Sequence, residues 1–509
     1  MNLLQLKASD PELSRWVSAS AGTGKTKILT DRVLRLILQN VSFNKILCLT
    51  FTNAACSEMH ERIIANLEKW SNLSPDDLRN SLKNTLGKDP TRDEIFKAST
   101  LFELYLKTEE QINIYTIHSF CQKILKKFPL ESGLSPNFKI IDEIKAYQII
   151  KKIKKQIFNL PGIEPVARFF AENFHELTIN EIFNEIIELK SKILTTTNVK
   201  PENDIFSEDL FTQGLKIIEE LSVSDTRSYQ DVIIDPAIKE LILSLFHPGT
   251  PLRHPREGGD PTLTNTNLRS FFLTNDGSKK KRIVTKNIAS PESSLYLELE
   301  IIQEKIYQFD QEAKAKHLIL YSKLLSLIAK KIISEYEIYK QKNALLDYDD
   351  LIIYTQNLLT NSYAKEWVLY KLDGGIDHLL VDEAQDTSKT QWRIIEALIE
   401  EFYSGESNNP KNRTIFVVGD EKQSIFSFQG ADITTFSHMN KFLHEKLGES
   451  KKSFETINLD ISYRSTKEIL TVVADIFNKI IKSNPVDFQG NLPEMMAHRS
   501  DHSGGIEFW

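Results

Sequence analysis

Four short stretches carry side chains whose types and order suit one chemistry, the hydrolysis of a nucleoside triphosphate. In "WVSASAGTGKTKIL" (Trp16 to Leu29) two glycines, Gly22 and Gly24, precede Lys25 and Thr26. A glycine-rich turn at a helix N-terminus wraps a β-phosphate in backbone N–H groups, a lysine reaches the β and γ oxygens, and a Ser/Thr hydroxyl binds Mg²⁺. The cradle runs over Ala19, Ser20, Ala21, Gly22, Thr23, Gly24, Lys25 and Thr26. The strict pattern GxxxxGK[ST] asks for glycine where this chain has Ala19. A bare helix-capping turn is the competing reading, but it would not need Lys25 followed by Thr26.

Hydrolysis also needs a carboxylate for the metal and a group that orients the attacking water. "VDEAQD" supplies Asp382 for the Mg²⁺ shell and Glu383 as base, at the end of an apolar run. Two adjacent carboxylates there are costly unless a cation neutralises them, although an exposed acidic turn is the plainer alternative. In "GDEKQSIFSFQGAD" Gln423 can reach the γ-phosphate, with Phe426 and Phe428 nearby, and "NLDISYRST" places Arg464 as a candidate arginine finger.

The elements that must hold these groups are legible as patterns. "ILCLTF" (Ile46 to Phe51), "HLLVDE" (His378 to Glu383) and "IFVVGD" (Ile415 to Asp420) are continuous apolar runs ending in polar residues. Continuous hydrophobicity fits strands covered on both faces, as in a parallel sheet flanked by helices. Ligands of such sheets sit at the carboxyl ends of the strands, where the polar residues fall. Leu29, Val33, Leu36 and Ile37 then give the loop an amphipathic helix after it. From Arg62 to Leu346 the texture turns to Lys/Glu/Ile/Leu stretches such as "IIKKIKKQIF", read as a helical insertion. Inside it, His247 to Lys286 is rich in Pro, Gly, Asn and Thr, predicting a loop or disordered insert over 247–292. Its "RHPREGGDP" resembles translated repeat elements found in some bacterial reading frames, and the cluster Lys279 to Arg282 reads as a solvated charge run.

At 509 residues two to four domains are expected. A net charge of −7 excludes a protein that coats polyanions with its whole surface, so DNA would bind in a local groove. Three cysteines, Cys48, Cys56 and Cys121, show no metal spacing and suit a reduced, cytoplasmic compartment. Neither an export signal nor an apolar run of membrane-spanning length is present, so no membrane partner is expected.

In order along the chain, "QLKASDP", "ASAGTGKT", "LTFTNAACSEMHER", "YTIHSFC", "LLDYDDLI", "LLVDEAQD", "VVGDEKQSIFSFQGAD" and "ISYRS" together resemble superfamily-one DNA helicases of the UvrD/Rep/RecB type. "WVSASAGTGKT", "GDEKQSIFSFQGAD" and "HRSDHSGGIEFW" are most similar to the AddA type, the helicase–nuclease subunit of bacterial double-strand-break repair. In this family the loop begins with Ala, so Ala19 fits the resemblance. The absence of an LSGGQ-type signature sets transporter ATPases aside.

The resemblance implies an α/β fold: a RecA-like P-loop parallel sheet with a large helical insertion domain and the beginning of a second RecA-like domain. The core would occupy about 1–62, 110–142 and 345–455, the insertion 63–109 and 143–344, and the second domain 456–509. ATP and Mg²⁺ are the implied cofactors: Gln5 would read adenine, Lys25 and Thr26 hold phosphate and metal, Asp382 and Glu383 run hydrolysis, and Gln423 and Arg464 sense the γ-phosphate. Phe51, Thr52, Asn53, Thr116, His118, Phe120, Phe426 and Phe428 would contact single-stranded DNA, the aromatics by stacking, with core packing the competing reading. Gln429 stands where most relatives carry Arg. The implied function is an ATP-dependent single-stranded DNA translocase, the ATPase portion of a 3′→5′ helicase acting at DNA ends in double-strand-break repair and recombination. The family's later motifs do not appear between Arg464 and Trp509. A C-terminally truncated chain is therefore expected, either a fragment of a split or frameshifted gene or one piece completed by a chain supplying the missing C-terminal half, with an AddB-like subunit as the other implied partner; the alternative is a fragment that binds ATP and DNA without motor activity. By itself it should hydrolyse ATP weakly and not unwind duplexes.

Overall fold

The computed structural model describes residues 3–159, 164–175, 265–284, 293–360, 363–373, 375–403, 412–424, 433–450, 452–483, 495–499 and 501–506, with isolated positions between 178 and 185. The chain divides into two units, Met1–Ile141 with Leu346–Trp509, and Asp142–Leu345.

The first unit is built on a six-stranded parallel sheet. Its strands are β1 (Ser14–Ala19), β2 (Ile46–Thr50), β3 (Asn113–Thr116), β4 (His378–Val381), β5 (Thr414–Gly419) and β6 (Phe454–Leu459), in the order β3-β2-β4-β5-β1-β6. Successive side chains of a strand point to opposite faces, which explains the continuous apolar runs. Trp16, Leu47, Leu49, Leu379, Val381, Ile415 and Val417 enter one core. Val17, Ile46, Cys48, Leu380, Phe416 and Val418 enter the other.

The second of these cores is closed by α2 (Lys25–Leu38), α3 (Asn53–Asn72), α4 (Pro75–Leu86) and α5 (Arg92–Lys107). Met59, Ile63, Leu67, Trp70, Leu78, Leu82, Ala98, Leu101 and Tyr105 recur at helical spacing and are buried against the strands. Residues 63–109, expected in the insertion, therefore belong with the sheet: their polar outer faces mask a narrow apolar stripe. The opposite core is closed by α6 (Ile117–Lys127) and by helices Tyr348–Thr360, Lys365–Asp373, Lys389–Tyr403 and Ile433–Glu449. At its centre Trp16 stacks on Trp392 at 6.1 Å and leans on Phe436 at 4.6 Å.

At the edge, β6 pairs with β1 from Ser14↔Phe454 to Ala19↔Leu459. The boundary expected at 456 thus falls inside a strand of the first sheet, and the change of sheet comes at Asp460. Two-residue strands β7 (Ile461–Ser462) and β8 (Met496–Ala497) then pair in parallel, with helix Lys467–Ser483 between them. Cys48 and Cys121 are buried, Cys56 is partly so, and all three are free thiols.

The described part of the second unit is helical, as expected: α7 (Glu143–Phe158), α8 (Glu164–Asn173), α9 (Asn265–Phe272) and the 49-residue α10 (Ser294–Lys342). Residues 265–284 depart from the expected disorder. Phe272, Leu273, Ile283 and Val284 pack with Tyr296, Leu299 and Ile306, and Arg269 reaches the buried carboxylate of Asp310 at 2.7 Å. Four apolar residues dispersed among polar ones give no period in the sequence, yet they meet one face of α10. Lys279 pairs with Glu304, in keeping with a charge run on the surface. The rest of the expected insert, 247–264 and 285–292, lies outside the described residues. No described helix is long and apolar enough to cross a membrane.

Candidate nucleotide-binding site

All six strands run parallel, so their carboxyl ends share one edge of the sheet, and the chemistry collects there. The loop after β1 turns on Gly22 and Gly24, at φ +79° and +90°. Both lie in the left-handed region that favours glycine. Ala19 is different: it is the last residue of β1, pairs with Leu459 and is buried with a φ that is not positive. A Cβ therefore fits at position 19, and the departure from the strict pattern costs the loop nothing.

The loop is tied on several sides. The Thr23 hydroxyl donates to the Ser20 carbonyl at 2.7 Å, and the Gln5 side-chain amide, itself buried, donates to the Thr23 carbonyl at 2.9 Å. Gln5, the expected adenine reader, thus lies against the loop's backbone in this structure. From beyond β6, the Tyr463 N–H donates to the Gly22 carbonyl at 2.8 Å. A Cβ on Gly22 would sit 2.6 Å from that of Arg464. The structure therefore brings Arg464 to the loop, with its side chain exposed.

Lys25 opens α2 and is only 11% exposed. Its ammonium contacts Glu383 Oε2 at 3.0 Å and Gln423 Oε1 at 3.4 Å. Asp382 is anchored by its backbone N–H on the Leu49 carbonyl at 2.8 Å, and its carboxylate accepts the Glu383 N–H at 3.0 Å. Burial, reinforced by the adjacent Glu383, pushes the Asp382 carboxyl up to about 7, against the pull of Lys25. A buried carboxylate so raised is one that a cation would stabilise. Glu383 stands at φ 48°, ψ 45°, a left-handed conformation that a non-glycine residue holds only when its surroundings enforce it.

Gln385, Asp420 and Lys422 complete the cluster. Gln385 donates to Glu383 Oε2 at 2.8 Å while its own Oε1 accepts the Asp420 N–H at 2.9 Å. Asp420 in turn accepts from Gln423 Nε2 at 2.6 Å. Lys422 reaches the Ser20 hydroxyl at 3.3 Å. Gln385, Lys422 and the Tyr463 backbone carry no role legible in the sequence. Gln385 stands inside a quoted motif, but only its burial in the fold distinguishes it from a surface amide.

Lys25, Asp382, Glu383 and Gln423 are thus brought together, with Thr26 next to Lys25 on the first turn of α2. Two carboxylates, a lysine, an amide and a hydroxyl beside a loop of two left-handed glycines can bind a phosphate chain, hold a hard cation and orient a water.

Of the residues expected to meet DNA, the described ones lie on the neighbouring stretch of the same edge. Phe51, Thr52 and Asn53 follow β2, with Phe51 half-buried, and the Thr52 hydroxyl caps α3 by accepting from the Ala55 N–H. Thr116 ends β3 and caps α6 through the Ser119 N–H. His118 packs edge-on against Tyr348 at 5.7 Å, and burial holds its imidazole below the usual histidine range, opposed by Asp349. Phe120 departs from the expectation: at 4% exposure its ring belongs to the core beside Ile117 and Ile124, leaving no face for a base. Phe426, Phe428 and Gln429 lie outside the described residues.

Comparison with known proteins gives this arrangement a setting. The family model described as "UvrD/REP helicase N-terminal domain" matches residues 1–444. The chain is similar to proteins named as the AddA subunit of an ATP-dependent helicase/nuclease. It is 26% identical to that of Lactobacillus gasseri over 503 residues, covering 92% of this chain and 39% of the relative. It is 24% identical to that of Listeria monocytogenes serotype 4b over 511 residues (91% and 38%) and 26% to that of Clostridium botulinum over 506 residues (91% and 38%). The chain thus spans about two-fifths of the length of these curated relatives.

Proposed function

Because the chain belongs to the UvrD/REP helicase family, we propose that it is the ATPase portion of an ATP-dependent 3′→5′ DNA helicase, a single-stranded DNA translocase acting at DNA ends in double-strand-break repair and recombination. The observation that carries the reading is the cluster in which Lys25 meets Glu383 at 3.0 Å and Gln423 at 3.4 Å beside the loop of Gly22 and Gly24. In this reading the loop amides and Lys25 hold the triphosphate. Glu383 accepts a proton from the attacking water, and Gln423 and Arg464 face the γ-phosphate. Gln5, held against the loop through the Thr23 carbonyl, would read the adenine.

Thr26 and Asp382 offer hard oxygen donors, a set that suits Mg²⁺ held by few protein ligands and by substrate phosphates. The raised Asp382 carboxyl fits a group built to face a cation. Bound Mg²⁺ would neutralise charge on the β and γ oxygens. Single-stranded DNA would lie across the ends of β2 and β3, along Phe51, Thr52, Asn53, Thr116 and His118, and the family resemblance adds Phe426 and Phe428 as contacts. The relatives are each named as one subunit of a helicase/nuclease, which supports a partner of AddB type.

The test is single-strand-stimulated ATP turnover of the chain beside two variants. Lys25→Ala should lower kcat/KM on the order of 10²-fold or more. Glu383→Gln should keep nucleotide binding and lose turnover on the order of 10²- to 10⁴-fold. Turnover that ignores both substitutions would overturn the reading.

A further inference from the structure

We propose that Gln385 is a positioning residue for ATP hydrolysis, holding the Glu383 carboxylate and coupling it to the turn that carries Gln423. The inference rests on the hydrolytic role proposed above for Glu383. Gln385 is 2% exposed, and each end of its amide is used. Nε2 donates to Glu383 Oε2 at 2.8 Å and to Asp386 Oδ2 at 3.2 Å, while Oε1 accepts the Asp420 N–H at 2.9 Å. Its backbone carbonyl accepts from the Ser424 hydroxyl at 3.3 Å. One side chain therefore spans the ends of β4 and β5.

The surroundings are shaped for that span. Gly419, the last residue of β5, lies so close that a Cβ there would stand 2.6 Å from Gln385 Oε1 and 2.8 Å from the Phe436 ring. The Asp420 that Gln385 grips through its N–H is the residue whose carboxylate fixes Gln423 Nε2 at 2.6 Å. Glu383 needs such a grip for two reasons. Its backbone is left-handed, a conformation that persists only when over-determined by neighbours. Its Oε2 is shared between Gln385 and Lys25. A triphosphate competes for the lysine, and the Gln385 amide is then the donor that keeps the carboxylate aimed.

A buried amide that merely satisfies its own hydrogen bonds would affect stability and catalysis alike. A positioning residue acts through Glu383, so its loss should appear in kcat and vanish once Glu383 cannot act. Gln385→Met keeps length and removes every side-chain hydrogen bond. Gln385→Asn keeps the amide but is one methylene too short to span Glu383 and Asp420, so it decides the matter should the Met variant not fold.

Steady-state ATP turnover with saturating single-stranded DNA, and binding of a fluorescent ADP, are measured for wild type, both variants, Glu383→Gln and the double variants. Expected is a fall in kcat of about 10- to 100-fold, the loss of a hydrogen bond to a charged group, with nucleotide affinity held within about threefold. In the Glu383→Gln background the further loss should be absent. Undiminished kcat in the folded variants, or losses that multiply in the double variants, would overturn the inference while leaving the hydrolytic reading intact. No turnover by the wild-type chain would overturn both.

Discussion

Replacing Gly22 by alanine separates two explanations for a glycine in the loop. It sits at φ +79°, and an L-residue in the left-handed region costs about 1–2 kcal/mol. The new Cβ would also lie 2.6 Å from Arg464 Cβ and 3.1 Å from Ser462 Oγ. A contact at the base of a side chain cannot be relieved by turning a rotamer, so the loop or the strand end after Asp460 must move by roughly 1 Å to reach ordinary packing distance. That movement breaks the bond from the Tyr463 N–H to the Gly22 carbonyl, now 2.8 Å, worth about 1 kcal/mol. Together the loss is about 2–3 kcal/mol. Urea unfolding followed by tryptophan fluorescence reads it, since Trp16 and Trp392 stack in the core beneath this loop. Ala19→Gly is the control. Position 19 is an ordinary strand residue, so the change should cost only about 0.5–1 kcal/mol. Equal losses in the two variants would show that the loop is not pinned by the segment after β6.

Three further variants have expected outcomes. His378 is buried, its Nδ1 lies 2.9 Å from the Thr414 hydroxyl, and that hydroxyl accepts from Arg32 at 3.1 Å, leaving its proton for the neutral imidazole. Burial, with Arg32 adding to it, lowers the imidazole to about 3. The unfolded chain therefore binds the extra proton first, so stability should fall as pH drops from about 6.5 toward 3, by up to about 1.4 kcal/mol per unit. His378→Gln should flatten that slope in urea titrations at several pH values. Phe120→Ala should cost about 3–5 kcal/mol of stability by leaving a cavity. Phe51→Ala should instead weaken single-strand binding by about 1–3 kcal/mol in fluorescence anisotropy; the reverse pattern would exchange their roles.

How much of this is legible in the sequence depends on what each position has to satisfy. Strands β2, β4 and β5 are buried on both faces, and that double burial writes itself as a continuous apolar run. β6 is an edge strand, paired only with β1, and only Ile457 and Leu459 of its six residues are buried apolar ones. Its membership in the first sheet therefore leaves no pattern, and the expected boundary falls inside it. The same economy hides α3 to α5, where one stripe from Met59 to Tyr105 is enough to seat three helices while most of their surface is polar. Lys25, Asp382, Glu383 and Gln423 are recognisable because phosphate chemistry demands those groups. Gln385 is not, because it acts on another protein side chain, and spacing alone does not reveal which amide is buried.

The tethers on the phosphate loop have a thermodynamic consequence. Two left-handed glycines give the loop a large backbone entropy to lose, and hydrogen bonds from outside the loop limit that loss before any phosphate arrives. Gln5 comes from the helix Leu3–Ala8 preceding β1, Lys422 from the turn after β5, and Tyr463 from the chain leaving β6. The last is the segment that passes from the first sheet into β7, so the loop's geometry and that segment's position are fixed by one bond and one close approach. If a phosphate stabilises a loop geometry that lengthens the Gly22–Tyr463 bond, it weakens the hold on Ile461 to Arg464 by the same free energy, because coupling between two equilibria is reciprocal. A change confined to a few loop amides would then be felt at the start of β7 without any side chain having to span the gap.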